Sequence, residues 1–411
     1  MKRSRRLLGS AAAGFTAACL LAPAAAYTSA DDEPVELATD VGSAPAVEPG
    51  LHTMNMPDST DTAYFAVERT IDDSTIWVGE SLIAPKPVDG SWYITPTADG
   101  TNQDCGQGAY ADSYYGRHDL IAGSASTNQS CSTADKVLFG LQSWDPTTVP
   151  NAEANLVVWE EPPVADASIL PPPATNQKWV GTPSTDKGDA TLGHTFADAP
   201  ELVDGKWKVH VDPGKAALFK VPLDWNQHLQ VWLTYDGPET VDNVTVRPIL
   251  INPVGGKSAW GTATQGAKGE PPGFDDIDLK YNTLDGGVVS PSITWRNREA
   301  EGVTAAFPGT YYVLLQLGQQ DIQPSGADFM VDTKVITDKA ATSPYAQDAE
   351  PVAALDGSDA AKEESDEKKS EASSSSSDET PWAAVGGLFA GSAVMAAAGV
   401  IALGRHRRSR A

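Results

Sequence analysis

Between residues 50 and 340 the chain is written in short runs of Val, Ile, Trp, Tyr and Phe, each bounded by Gly, Pro, Asp or Asn. No amphipathic helical period interrupts them. Runs this short, with a side-chain period of two, make β-strands, and the turn residues return each strand beside an earlier one. Phe65 and Val67, like Phe219 and Val221, alternate with other residues so that each strand has one face to bury. One-faced strands are covered most simply by a second antiparallel sheet. The expected class is all-β, with two tandem antiparallel β-sandwiches of jelly-roll type.

Roughly 290 residues exceed one small domain, which is why two are expected. The Pro-rich stretch from Glu161 to Pro173 divides them. The halves also resemble each other. Tyr64-Phe65-Ala66-Val67 followed by Ile76-Trp77-Val78 is matched by Leu218-Phe219-Lys220-Val221 followed by Leu229-Gln230-Val231-Trp232. Val137 to Leu141 and Leu156 to Trp159 close the first half as Tyr311 to Leu315 and Phe329 to Val331 close the second.

The two ends predict where the protein resides. Lys2, Arg3, Arg5 and Arg6 precede an apolar run from Leu7 to Leu21 and then Ala24-Ala25-Ala26, the layout of a secretory signal peptide cleaved after Ala26. Near the other end, Trp382 to Gly404 is an uncharged run of 23 residues followed by Arg405, Arg407, Arg408 and Arg410. Such a helix crosses about 30 Å of hydrocarbon. The arginines hold the tail in the cytoplasm, giving a single-pass type I topology at the cell membrane. The expected order is signal peptide (1–26), disordered leader (27–49), first sandwich (50–165), Pro-rich linker (166–189), second sandwich (190–340), acidic Ser-rich stalk (341–381), transmembrane helix (382–404) and Arg-rich tail (405–411).

Removing the eight basic residues of the two ends from the 29 leaves 21 against 55 acids, a net charge of -34 for residues 27–380. A surface so acidic excludes nucleic acid as a partner. Cys19 falls in the signal peptide, so Cys105 and Cys131 are the mature cysteines, and an oxidising compartment pairs them.

Residues 190–336 carry a resemblance. Asp212-Pro213-Gly214, Leu218 to Leu223, Leu229-Gln230-Val231 and Pro308 to Val313 resemble the bacterial pre-peptidase C-terminal β-sandwich. They are also similar to repeats of large secreted actinobacterial proteins with the same signal peptide, stalk and anchor. The resemblance implies an accessory module that binds substrate or cell surface, sometimes with calcium, and here without a peptidase beside it. The unknown partner is then an envelope protein or glycan.

Chemistry is sparse. His52, His118, His194, His210 and His228 stand apart with no HExxH spacing, no GxSxG elbow occurs, and no enzyme is expected. A hydrolase with an unrecognised site and an inert spacer are the rival readings. Gly255-Gly256-Lys257-Ser258 imitates a phosphate loop, but Ile251 stands where its first Gly belongs. Asp275, Asp276 and Asp278, with Asp285 nearby, supply oxygen ligands for calcium, though the last of the first three also fits an Asp-x-Asp-Leu strand. Between the cysteines, Tyr110, Tyr114, Tyr115 and Arg117 form a candidate recognition loop, because aromatic side chains supply contact area at low entropic cost. The ten tryptophans from Trp77 to Trp295 are expected mainly in the core, and any exposed one can stack on sugars.

Overall fold

The structure is a computed structural model and describes residues 34–57, 60–86, 91–98, 105–112, 119–143, 153–181, 185–237, 245–264, 277–278, 285–317, 326–340 and 342–345. The described chain is all-β, as its short apolar runs require. Both of its halves belong to a single compact unit.

In the first half, β1 (Gly50–Asn55), β2 (Ala63–Glu68), β3 (Thr75–Ile83), β4 (Ser91–Thr97), β5 (Gly106–Gln107), β6 (Ala109–Asp112), β7 (Leu120–Thr127), β8 (Lys136–Ser143) and β9 (Glu153–Glu161) form one path. Its order is β1-β9-β3-β7-β6-β4-β8-β2, with β5 beside β7. The path folds over between β7 and β6, which share the single register pair Asp112↔Ala122. Gly123 permits the fold-over, since a Cβ there would lie 2.6 Å from the Ala111 Cα. Two layers thereby face each other across a core that includes Phe65, Val67, Val78, Ile94, Phe139 and Leu156.

In the second half, β11 (Asp186–Asp189), β12 (Gly205–Val211), β14 (Gln227–Tyr235), β19 (Asp285–Val289) and β21 (Ala327–Thr337) give the sheet β11-β12-β21-β14-β19. Opposite it, β13 (Leu218–Leu223), β15 (Thr245–Ile251), β16 (Lys257–Ser258) and β20 (Gly309–Leu317) give β13-β20-β15-β16, with β18 (Ile277–Asp278) beside β15. The short β10 (Asn176–Lys178) and β17 (Thr262–Thr264) pair with each other. Both halves repeat one order. The layers β1-β9-β3-β7 and β2-β8-β4-β6 correspond to β12-β21-β14-β19 and β13-β20-β15-β16. The sequence match of residues 64–67 with 218–221 is the match of β2 with β13, and each pairs with the corresponding partner, β8 or β20.

Residues 34–49, expected as part of a disordered leader, are packed. Val35 bridges Met54 on the β1 edge, while Ala38 bridges Tyr64 and Val47 N–H donates to the Ala66 carbonyl on the β2 edge. Backbone bonds carry most of this contact, and the apolar residues that join the core, Val35, Leu37, Ala44 and Val47, are too scattered to announce a strand. These bonds also cover both ends of the sheet path, the edges most open to pairing with another chain.

The outer face of β9, β3 and β7 is buried as well. Trp77, Leu120, Ala122, Val157 and Trp159 belong to the core of the second half, where Phe307 sits 5.0 Å from the Trp77 ring and 4.9 Å from Trp159. Gly255 and Gly256 complete this seam. Asn252 Oδ1 accepts from the N–H groups of Val254 and Gly256, forming a turn in which Gly255 takes φ 87°. That turn lies on Gly79 of β3, where a Cβ would stand 1.5 Å from the Val254 carbonyl oxygen. Gly79→Val is therefore expected to force the halves apart and cost at least about 3 kcal/mol. Thermal unfolding at wild-type Tm would contradict the close approach.

Cys105 and Cys131 form a disulfide with a Cα separation of 5.2 Å. Beside it, Arg69 donates to the carbonyls of Cys131 and Ala134, tying the cystine turn to the β2–β3 connection. Among the described residues no helix is long and apolar enough to cross a membrane. The expected signal peptide (1–26), the expected transmembrane segment (382–404) and the tail that follows it lie outside the described residues.

Candidate functional site

The expected recognition residues separate. Tyr114, Tyr115 and Arg117 lie outside the described residues, whereas Tyr110 is found on strand β6 rather than on a loop. Its position follows from alternation, since Ala111 points into the core and its neighbour must point out. Tyr110 is 54% exposed. Directly opposite on β4 stands Tyr93, with ring centroids 4.8 Å apart.

The glycines around this pair shape the face. Tyr93 lies over Gly108, where a Cβ would come within 2.5 Å of its hydroxyl, and Tyr64 lies over Gly140 at 3.0 Å. On the far side of Tyr93, the exposed Gln142 occupies the opposing register position on β8. The outer face of β6-β4-β8 therefore presents two tyrosine rings and an amide to solvent. Tyr93 was not singled out from sequence. Its signal was its place between Trp92 and Ile94, both buried, which directs it outward.

Of the calcium candidates, Asp275 and Asp276 lie outside the described residues. Asp278 falls on β18 opposite Thr245, and Asp285 is exposed at the start of β19, which pairs with β14 in the other layer. Among the described residues no group of three or more His, Cys, Asp or Glu side chains is placed to hold a metal.

One Ser, His and Asp grouping does form. His228 Nδ1 lies 3.3 Å from Ser292 Oγ and 3.1 Å from Asp338 Oδ2, and the serine hydroxyl donates to the same aspartate oxygen. Burial lowers the His228 pKa, opposed by Asp338. In a hydrolytic triad the serine and the carboxylate occupy opposite ring nitrogens. Here both use Nδ1, while Nε2 is buried with no hydrogen-bond partner. The arrangement cannot relay a proton through the imidazole.

Two acidic side chains that sequence reasoning missed lie deeper. Glu161 is 1% exposed and accepts four bonds. Arg298 donates to it twice, at 2.7 and 2.8 Å, and Trp77 Nε1 and the Tyr345 hydroxyl each donate at 2.8 Å. Burial, and then the Glu161 carboxylate beside it, pushes the Tyr345 phenol well up, so it stays a donor. Glu80 shares the inward face of β3 with Val78 and Leu82. Neither of its carboxyl oxygens has a hydrogen-bond partner, and burial pushes its pKa up to about 8.

These sheets define an all-β protein built of facing antiparallel layers in a repeated order. No family model matches the chain, so the likeness to the pre-peptidase C-terminal sandwich rests on the quoted segments alone. No curated protein matches it in sequence. Similar solved structures include the M60 catalytic domain with the CBM51-1 and CBM51-2 domains of Clostridium perfringens ZmpB, at 8% identity and TM-score 0.19. That likeness covers 70% of this chain and 34% of the other, so the chain spans about a third of that protein. The CBM22-1-CBM22-2 tandem of Paenibacillus barcinonensis Xyn10C is 10% identical over 70% of this chain and 86% of its own, with TM-score 0.19. The extracellular domain of Arabidopsis thaliana ANXUR2 is 7% identical over 69% and 83%, again with TM-score 0.19. Scores this low carry no argument about the ligand of this chain.

Proposed function

We propose that this protein is a non-catalytic binding module, exported by its N-terminal signal, held at the membrane by residues 382–404, and displayed on its acidic stalk as two tandem β-sandwiches. Its partner is an envelope component outside the cytoplasm. The observation that carries this reading is the Tyr93–Tyr110 pair. Tyr110 leaves more than half of its surface in water beside a second tyrosine, and rings held in place on a strand contact a partner at little entropic cost. The Nδ1-only geometry of Ser292, His228 and Asp338 supports a role without hydrolysis.

Full-length protein immobilised in detergent and exposed to envelope extract tests this directly. Tyr110→Ala is expected to reduce retention of a specific component about tenfold while leaving Tm unchanged, because an exposed ring adds contact and little stability. Equal retention by wild type and variant would remove the basis of the reading. So would the absence of any retained component.

A further inference from the structure

The repeated strand order makes the two halves comparable face by face. In the first half the outer face of β9-β3-β7 is apolar, with Trp77, Val157 and Trp159, and the second half covers it. The corresponding outer face of the second half, on β21-β14-β19 and β12, has diverged in chemistry. Its central row runs Gly287, Trp232, Asp332 and Lys206 in register across four strands.

Three features of this row point to a ligand. Trp232 is half-buried and packs at 5.8 Å against Trp179. Segment 178–180 carries Trp179 and is fastened by Gln230, which donates to the Lys178 carbonyl and accepts from Val180 N–H. Gly287 lets both rings settle, since a Cβ there would come within 2.5 Å of Trp232 and 3.1 Å of Trp179. Beside Trp232, the Asp332 side chain is 9% exposed and its Oδ1 has no hydrogen-bond partner, while Lys206 Nζ stands 4.0 Å from Oδ2.

Around the row, lysines and carboxylates are interleaved. Lys206, Lys208 and Lys334 stand among Asp186, Asp189, Asp236, Asp285, Asp328 and Asp332, with Lys208 bridging Asp236 at 2.8 Å and Asp328 at 3.7 Å. Interleaved donors and acceptors around an aromatic ring suit a polyhydroxylated ring, whose hydroxyls can both donate to carboxylates and accept from ammonium groups while its C–H face stacks.

We infer that the outer face of the second half is a saccharide-binding face, in which Trp232 stacks on a pyranose ring and Asp332 and Lys206 bond its hydroxyls. Binding there gives the buried Asp332 Oδ1 a hydroxyl donor. The site is separate from the Tyr93–Tyr110 face and stands or falls without it.

Saturation-transfer NMR on the full-length protein, in a detergent without a sugar headgroup, tests the inference against soluble gluco-, manno- and galacto-oligosaccharides. At least one should receive saturation on its ring C–H protons. Trp232→Ala should weaken that binding about tenfold, with partial recovery in Trp232→Phe. Lys206→Met, which leaves the aromatic pair in place, should weaken it as well, and Tyr110→Ala should leave it unchanged. Binding that survives Trp232→Ala and Lys206→Met overturns the proposal, as does a folded wild type that binds none of the sugars. Loss in Tyr110→Ala alone would also overturn it, by moving the sugar to the first half.

Discussion

Replacing Glu161 by alanine is expected to destabilise the protein by about 3–5 kcal/mol, because it leaves a guanidinium at the seam without its counter-ion. Arg298 is 18% exposed in its side chain and is held against Trp295 at 4.2 Å, so it cannot turn freely to water. The Trp77 N–H and the Tyr345 hydroxyl lose their acceptor in the same step. Each adds its own desolvation cost. Denaturant unfolding followed by tryptophan fluorescence measures the effect. Arg298→Ala alone should be similarly costly, whereas the double variant should cost less than the sum, since no lone charge remains. A loss below about 1 kcal/mol for Glu161→Ala would show that the pair behaves as a solvated surface bridge.

Glu80→Leu is expected to act in the opposite direction. The Glu80 carboxyl is fully buried without a partner, and its pKa rises from 4.5 to about 8 on folding. Between those values the folded state holds a proton that the unfolded state has released. Stability therefore falls as pH rises from about 4.5 to about 8 and changes no further above it. Relative to a residue that does not titrate, the penalty at pH 7 is on the order of 3 kcal/mol. Both Glu80→Leu and Glu80→Gln should remove this slope, and the leucine variant should raise Tm most at alkaline pH. Identical pH profiles for wild type and Glu80→Gln would mean that the carboxyl is hydrated after all.

Much of the architecture was written in the runs themselves. Phe65 and Val67 predicted an inward face for β2, Phe219 and Val221 did the same for β13, and all four are fully buried. The internal match between the halves translated into matched pairing, because strand spacing and register depend on the same alternation. Three things were hidden, each for a physical reason. Residues 34–49 are held by backbone bonds to β1 and β2, and their core residues, Val35, Leu37, Ala44 and Val47, are too scattered to read as one strand. Glu80 follows the inward alternation of β3, yet a carboxylate in an apolar run reads as a solvent-facing residue until burial is known. The seam depends on Gly79 and the Asn252 turn, whose close approach is a property of two distant segments, and Gly255-Gly256 carried a misleading likeness to a phosphate loop instead.

The candidate site was less legible. Tyr110 could be named because it lies between the paired cysteines, but its partner Tyr93 comes from another strand. The Trp232 face required the comparison of two sheets, since the tryptophan itself looks like its buried counterparts.

Tyr345 has a mechanical consequence. Its hydroxyl bonds Glu161, its ring lies 5.6 Å from Trp225, and its backbone bridges Val164. Tension applied to the chain beyond residue 345 thus meets the junction of both halves before it reaches the end of β21. The load is shared across the body, and no single strand is peeled first.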